Sequence, residues 1–114
     1  MKAVDKKVSA VLVLVTVANE SQGEQIARAI VEERLAACVN IVGSVRSIYR
    51  WQDKIEDERE SLLLIKTTVP TLKKLEARVK ELHSYDVPEF LVIEVDGGSA
   101  QYLSWLLSEV ALAK

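Results

Sequence analysis

The chain lacks most of what small domains use to staple or clamp themselves. It has one cysteine, Cys38, so no disulfide can close within it; the expectation is a reducing, cytoplasmic compartment. It has one histidine, His83. A closed structural zinc site needs four protein ligands, so a specific metal site at Cys38 or His83 would need water or a second chain to complete it. Glycine is scarce, and no Gly-rich phosphate loop is legible; Gly97-Gly98 reads as a lone turn. Only two prolines occur, and neither falls between Cys38 and Thr67. Lys and Arg number 15 against 17 Asp and Glu, a net charge of -2. No basic patch is interleaved with aromatics, which excludes nucleic acid as the expected partner. No apolar run reaches membrane-spanning length. No Ser/His/acid arrangement is legible, and a Cys–His pair would lack a third, orienting group. The expectation is a protein that is not an enzyme and requires no cofactor.

What is present is apolar residue, 49% of 114, enough for one domain over 1–114. Lys2, Lys6 and Lys7 before an apolar run imitate a short signal peptide, but Asp5 interrupts the charge and the run is rich in Val. Val8 to Val17 reads as a strand with two apolar faces, hence a central one. Ser21 with Glu24 reads as a capping box opening a helix to about Ala36. Cys38 to Trp51 and Lys54 to Thr67 read as the arms of a long hairpin turning at Gln52-Asp53. Gly43 marks a bulge in the first arm. Pro70 opens a second helix carrying Leu72, Leu75, Val79 and Leu82. Phe90 to Val95 is a short strand, and Ser99 caps a last helix through Leu112, with Tyr102, Leu103, Leu106 and Val110 facing inward.

The order β-α-β-β-α-β plus a helix is an α+β, ferredoxin-like sandwich with an extended hairpin and a C-terminal helix. Its crossovers put both main helices on one face of the sheet. Each hairpin arm would run about 45 Å at ~3.3 Å per residue, against a domain diameter of about 35 Å. Its tip carries Ile48, Tyr49, Trp51 and Ile55. Leu62, Leu63, Leu64 and Ile65 leave the second sheet face apolar. A homotrimer that covers both tip and face is the expectation, with Tyr49 and Trp51 as interface anchors.

Glu32 to Ile41, Ser47 to Trp51 with Lys54-Ile55-Glu56, Leu64 to Thr67, Glu81 to Glu89 and Tyr102 to Trp105 together resemble the signature of the CutA family, the divalent-cation tolerance proteins. The resemblance implies a ferredoxin-like trimer with hairpins packed between subunits, and a role in tolerance of divalent metal ions, copper among them. The metal ligands proposed in that family are a first-strand Cys, where Val15 stands here, and one or two His at the end of the second helix. Of the latter only His83 matches: Leu82 precedes it, and Ser84 replaces a Pro. The expectation drawn is weak Cu²⁺ or other divalent cation binding at His83 with acidic or water partners, and Cys38 as a second candidate. The run Glu56, Asp57, Glu58, Glu60 reads as a solvated face paired with Arg46, Arg50 and Arg59, or as weak oxygen ligands for Ca²⁺ or Mg²⁺. Arg34, Lys66, Tyr85 and Glu89 read as one inter-subunit cleft for a small anionic or zwitterionic ligand, or as interface ion pairs. A PII-like small-molecule sensor and a scaffold for a partner protein are the alternative functions.

Overall fold

A computed structural model describes residues 9–110. The signal-like N-terminal segment, Val8 and Leu112 lie outside the described residues; the last helix, expected to run through Leu112, ends at Glu109, with Val110 extended. The elements are β1 (Ala10–Val17), α1 (Glu20–Glu32), β2 (Cys38–Trp51), β3 (Lys54–Thr68), a short 3-10 turn (Val69–Thr71), α2 (Leu72–Leu82), β4 (Leu91–Glu94) and α3 (Ala100–Glu109). The strands form one antiparallel sheet in the order β2-β3-β1-β4. This is the expected α+β arrangement, with the two-faced apolar strands β1 and β3 at its centre.

Alternation sorts the sheet into two faces. Val11, Val13, Val15 and Val17 of β1, with Leu63 and Ile65 of β3, are fully buried against Ile26 and Ile30 of α1 and Leu75 and Val79 of α2. The other face is covered at one end only. There Leu106 and Val110 pack on Ala10 and Ala37. Tyr102, expected to face inward, is 42% exposed, its hydroxyl accepting from Lys66 Nζ. Leu12, Leu14, Leu62 and Leu64 remain half-buried, and Leu91 and Ile93 are exposed.

Both ends of α1 differ from the expectation. The α1 cap is Asn19, not Ser21: its side chain accepts from Gln22 N–H at 2.9 Å, while Glu24 pairs with Arg28 one turn on. The helix stops at Glu32 rather than Ala36 because Arg34 takes φ 60°. Arg34 N–H then donates to Val31 O, and Leu35 N–H to Ile30 O. That is the paired-bond helix stop usually built on glycine. Gly23 sits in the first turn of α1, where an added Cβ would lie 3.1 Å from Leu63 Cδ2 and 3.3 Å from Val17 Cγ2. The helix approaches the sheet that closely because nothing projects there.

The hairpin has its bulge where expected. Val42 pairs with Leu62 and Val45 with Glu60, so Gly43 and Ser44 oppose Ser61 alone. The left-handed residue of the bulge is Ser44, φ 56°, rather than Gly43. At the tip Gln52 and Asp53 have φ 50° and 64°, the two-residue turn whose twist matches that of its strands. Pairing with β1 ends at Ser61, and the hairpin continues alone for roughly 23 Å at 3.3 Å per residue. The molecule is accordingly elongated, 45 × 27 × 22 Å. Ile48, Trp51 and Ile55 on the projecting part are 64%, 50% and 61% exposed in a single chain.

Candidate functional site

The projecting hairpin and the turn that follows α2 enclose a cleft of about 840 Å³. One wall is β3. Its period of two places Glu56, Glu58 and Glu60 on the same face, opposite Tyr49, Ser47 and Val45 of β2 respectively. The other wall is the segment from Tyr85 to Glu89, which contributes Tyr85, Asp86 and Glu89; Thr16 at the end of β1 and Trp51 of the hairpin complete it. Five carboxylates therefore face one space, and no Lys or Arg is among its lining residues.

The deepest carboxylate is Glu60, only 6% exposed. The Tyr85 hydroxyl donates to Glu60 Oε2 at 2.7 Å. Burial, and then that bond, push the Tyr85 phenol far above its ordinary value, so it stays a donor. Burial and the charge of Glu60 push the Glu89 carboxyl up. Asp57 does not belong to it. It points to the opposite side of the hairpin, where Arg46 binds it through two bonds of 2.7 and 2.8 Å and holds its carboxyl below the usual range. The acidic run expected as a single solvated face is thus split by strand alternation, and Glu60 is buried because Tyr85 covers it.

His83 lies at the mouth of this turn but both of its ring nitrogens are engaged. Tyr85 N–H donates to Nδ1 at 3.0 Å, and Nε2 lies 2.8 Å from Thr16 O. A bare Nδ1 requires the proton on Nε2, so the ring donates to Thr16. A metal at either nitrogen would break one of these bonds in a ring that is 9% exposed. Val15, at the first-strand position, is in the core. Cys38 is half-buried and lies directly opposite Lys66, which in turn pairs with Leu12. Leu12 and Thr16 are four positions apart along β1, about 13 Å, so the fold keeps Cys38 and His83 apart. Among the described residues no three His, Cys, Asp or Glu side chains gather as a metal-ion cluster.

Arg34, Lys66, Tyr85 and Glu89 fall into two groups within one chain. The Arg34 guanidinium donates to Ser108 O at 2.8 Å and Glu109 O at 3.1 Å, satisfying the free carbonyls that end α3. Lys66 Nζ donates to the Tyr102 hydroxyl at 3.3 Å. Both basic residues thus serve the α3 end of the sheet, whereas Tyr85 and Glu89 line the cleft beside Thr16. The sequence named Tyr85 and Glu89 as cleft residues and Glu60 only within the acidic run, without joining the two groups. The signal for Glu60 was the Glu56, Glu58, Glu60 alternation, which puts three carboxylates on one side of a strand.

The model of the family described as CutA1 divalent ion tolerance protein matches residues 11–109. The chain is 52% identical to the divalent-cation tolerance protein CutA of Thermus thermophilus over 95 residues, 83% of this chain and 92% of that one. It is 44% identical to the chloroplastic CutA protein of Arabidopsis thaliana over 93% of its own length, spanning 58% of the plant protein. The crystal structure of CutA1 from Oryza sativa superposes with a TM-score of 0.89 at 41% identity, over 94% of this chain and 98% of that one.

Proposed function

The chain belongs to the CutA1 divalent ion tolerance family, and from that premise we propose that it acts as a homotrimer that attracts divalent cations, weakly and without a closed coordination sphere, into the carboxylate-lined cleft. The observation that carries this reading is the cleft's composition: five carboxylates, one of them buried, and no cationic side chain in its lining. Oxygen donors suit hard divalent cations, and walls of one sign concentrate counter-ions. Trimer formation is supported by the half-covered sheet face and by the exposed apolar tip. A second copy would remove both from water. The role proposed is binding rather than turnover, in keeping with the family's description as a divalent ion tolerance protein. Copper, if it binds, is taken by the same oxygens, since His83 is bonded through both nitrogens.

Calorimetric titration with Mn²⁺ and Cu²⁺ tests this on wild type, Glu58→Gln with Glu89→Gln, and His83→Asn. Expected is weak binding that the double carboxylate variant reduces several-fold and His83→Asn reduces far less. Equal affinity in wild type and the carboxylate variant would overturn the cleft as the site. A second reading follows from its size and its aromatic walls of Tyr49, Trp51 and Tyr85. These suit an organic cation, since aromatic faces and carboxylates both attract positive charge. A thermal-shift screen of organic amines against divalent metal ions separates the two, because a ligand of the native state alone raises its melting temperature.

A further inference from the structure

The segment that closes the cleft is held in place against its own charge. Asp86 and Glu89 approach the β3 row of Glu56, Glu58 and Glu60, and like charges facing each other across a cleft repel. Burial first, and then the charge of Glu60, raise the Glu89 carboxyl. The turn is held by bonds from Gln22 and the His83 ring, and by the Tyr85 hydroxyl on Glu60.

Gln22 is the third residue of α1 after its cap, Asn19. From that position a Gln side chain ordinarily folds back on the N–H of the cap residue. Here it does not. Gln22 Nε2 donates to Leu82 O at 3.3 Å, and Ser84 N–H donates to Gln22 Oε1 at 3.0 Å. Both ends of one amide are therefore engaged by the end of α2, about sixty positions away in the chain. Between these two partners lies His83, whose ring joins Thr16 O to Tyr85 N–H. The His83 and Tyr85 rings lie 4.6 Å apart. Tyr85, so placed, reaches Glu60. We propose that Gln22 is a positioning residue for the cleft: acting with the His83 ring, its amide fixes the turn that carries Tyr85 onto Glu60 and holds the two acidic walls together.

This rests on the cation reading of the cleft but makes a separate claim. Gln22 lines no part of the cleft and touches no cation. Its loss should lower cation affinity only through Tyr85, because relaxing the turn lets the walls move apart. A purely structural role would instead lower stability and leave affinity unchanged, or act independently of Tyr85.

A double-mutant cycle on the full chain decides between them. Gln22→Met keeps the bulk and helix propensity of the side chain and removes both bonds; Tyr85→Phe removes the hydroxyl. Ser21→Ala, on the exposed side of the same turn, is the control. Mn²⁺ affinity is measured for wild type, each single variant and the double. We expect each single variant to weaken Mn²⁺ about 3- to 10-fold and the double to be no weaker than the worse single, the signature of two residues acting through one contact. Losses that multiply in the double variant would overturn the proposal. In the metal-free protein, nuclear Overhauser contacts between the Tyr85 ring and the Glu60 methylenes should fade in Gln22→Met and persist in Ser21→Ala; contacts intact in Gln22→Met also overturn it. Should wild type not bind Mn²⁺, the cleft reading falls and these contacts alone decide the positioning role. Should Gln22→Met not fold, Gln22→Glu, which keeps the acceptor for Ser84 and loses the donor to Leu82, takes its place with the same outcomes.

Discussion

Removing one oxygen atom, by Tyr85→Phe, should be among the more costly conservative changes in this protein. The ring stays beside His83 at 4.6 Å, so little packing is lost and no cavity opens. What disappears is the 2.7 Å bond to a carboxylate that is 6% exposed. An unsatisfied buried acceptor costs about 1–3 kcal/mol, with charged acceptors at the upper end. At about 4 °C per kcal/mol for a chain of this size, the melting temperature should fall by roughly 4–12 °C at neutral pH. Chemical denaturation of both proteins at neutral pH and at one protein concentration measures the loss. A variant within about 0.5 kcal/mol of wild type, the range of an ordinary surface change, would refute the reasoning.

Trp51→Ala separates a lone chain from an assembly: at 50% exposure the change should cost within about 0.5 kcal/mol in a monomer, but about 2 kcal/mol or more if a neighbour buries the ring. We expect the larger loss, together with a stronger dependence of melting on protein concentration and partial dissociation by mass measurement. Replacing Gln52-Asp53 by Asn-Gly should stabilise the hairpin by about 0.5–1 kcal/mol, since both positions hold positive φ and Asn-Gly suits that turn; thermal denaturation reads it. Glu89 has a folded-state carboxyl raised above its ordinary 4.5 by burial and by Glu60, so the native state holds that proton more tightly than the unfolded chain. Its contribution to stability therefore rises as the pH falls through the raised value toward 4.5 and is lost as the pH climbs. Glu89→Gln should raise stability near pH 7 and flatten that part of the profile, as denaturation at a series of pH values would show.

Much of this architecture is written in local pattern. Two-faced apolar runs at Val11 to Val17 and Leu62 to Ile65 can lie only at the centre of a sheet, and there they are. The three-and-four spacing of Leu72, Leu75, Val79 and Leu82 makes α2 whatever surrounds it. Unbroken arms on either side of Gln52-Asp53 make the hairpin, and their length alone says that it outreaches its domain. The motifs that resemble the CutA family are likewise linear, and membership was legible from them. Helix ends were less so, because a cap is a matter of geometry: Asn19 and Ser21 are both good cap residues, and Arg34 in the left-handed region is not announced by its side chain.

The site is where local pattern ran out. His83 looks like a ligand in sequence because imidazole binds metals, and only the approach of Thr16 O and Tyr85 N–H shows both nitrogens engaged. Glu60 looks like one solvated acid among four, and only the return of the chain after α2 buries it under Tyr85. Arg34 and Lys66 look like companions of Tyr85 and Glu89 in a cleft between subunits, and within one chain the sheet places them beside α3. These placements have one physical cause. Periodicity determines which face of its own element a residue occupies, because that depends on backbone geometry over a few residues. What lies opposite that face depends on contacts tens of positions away, such as Gln22 with Ser84 or Glu60 with Tyr85, and these exist only once the elements have packed.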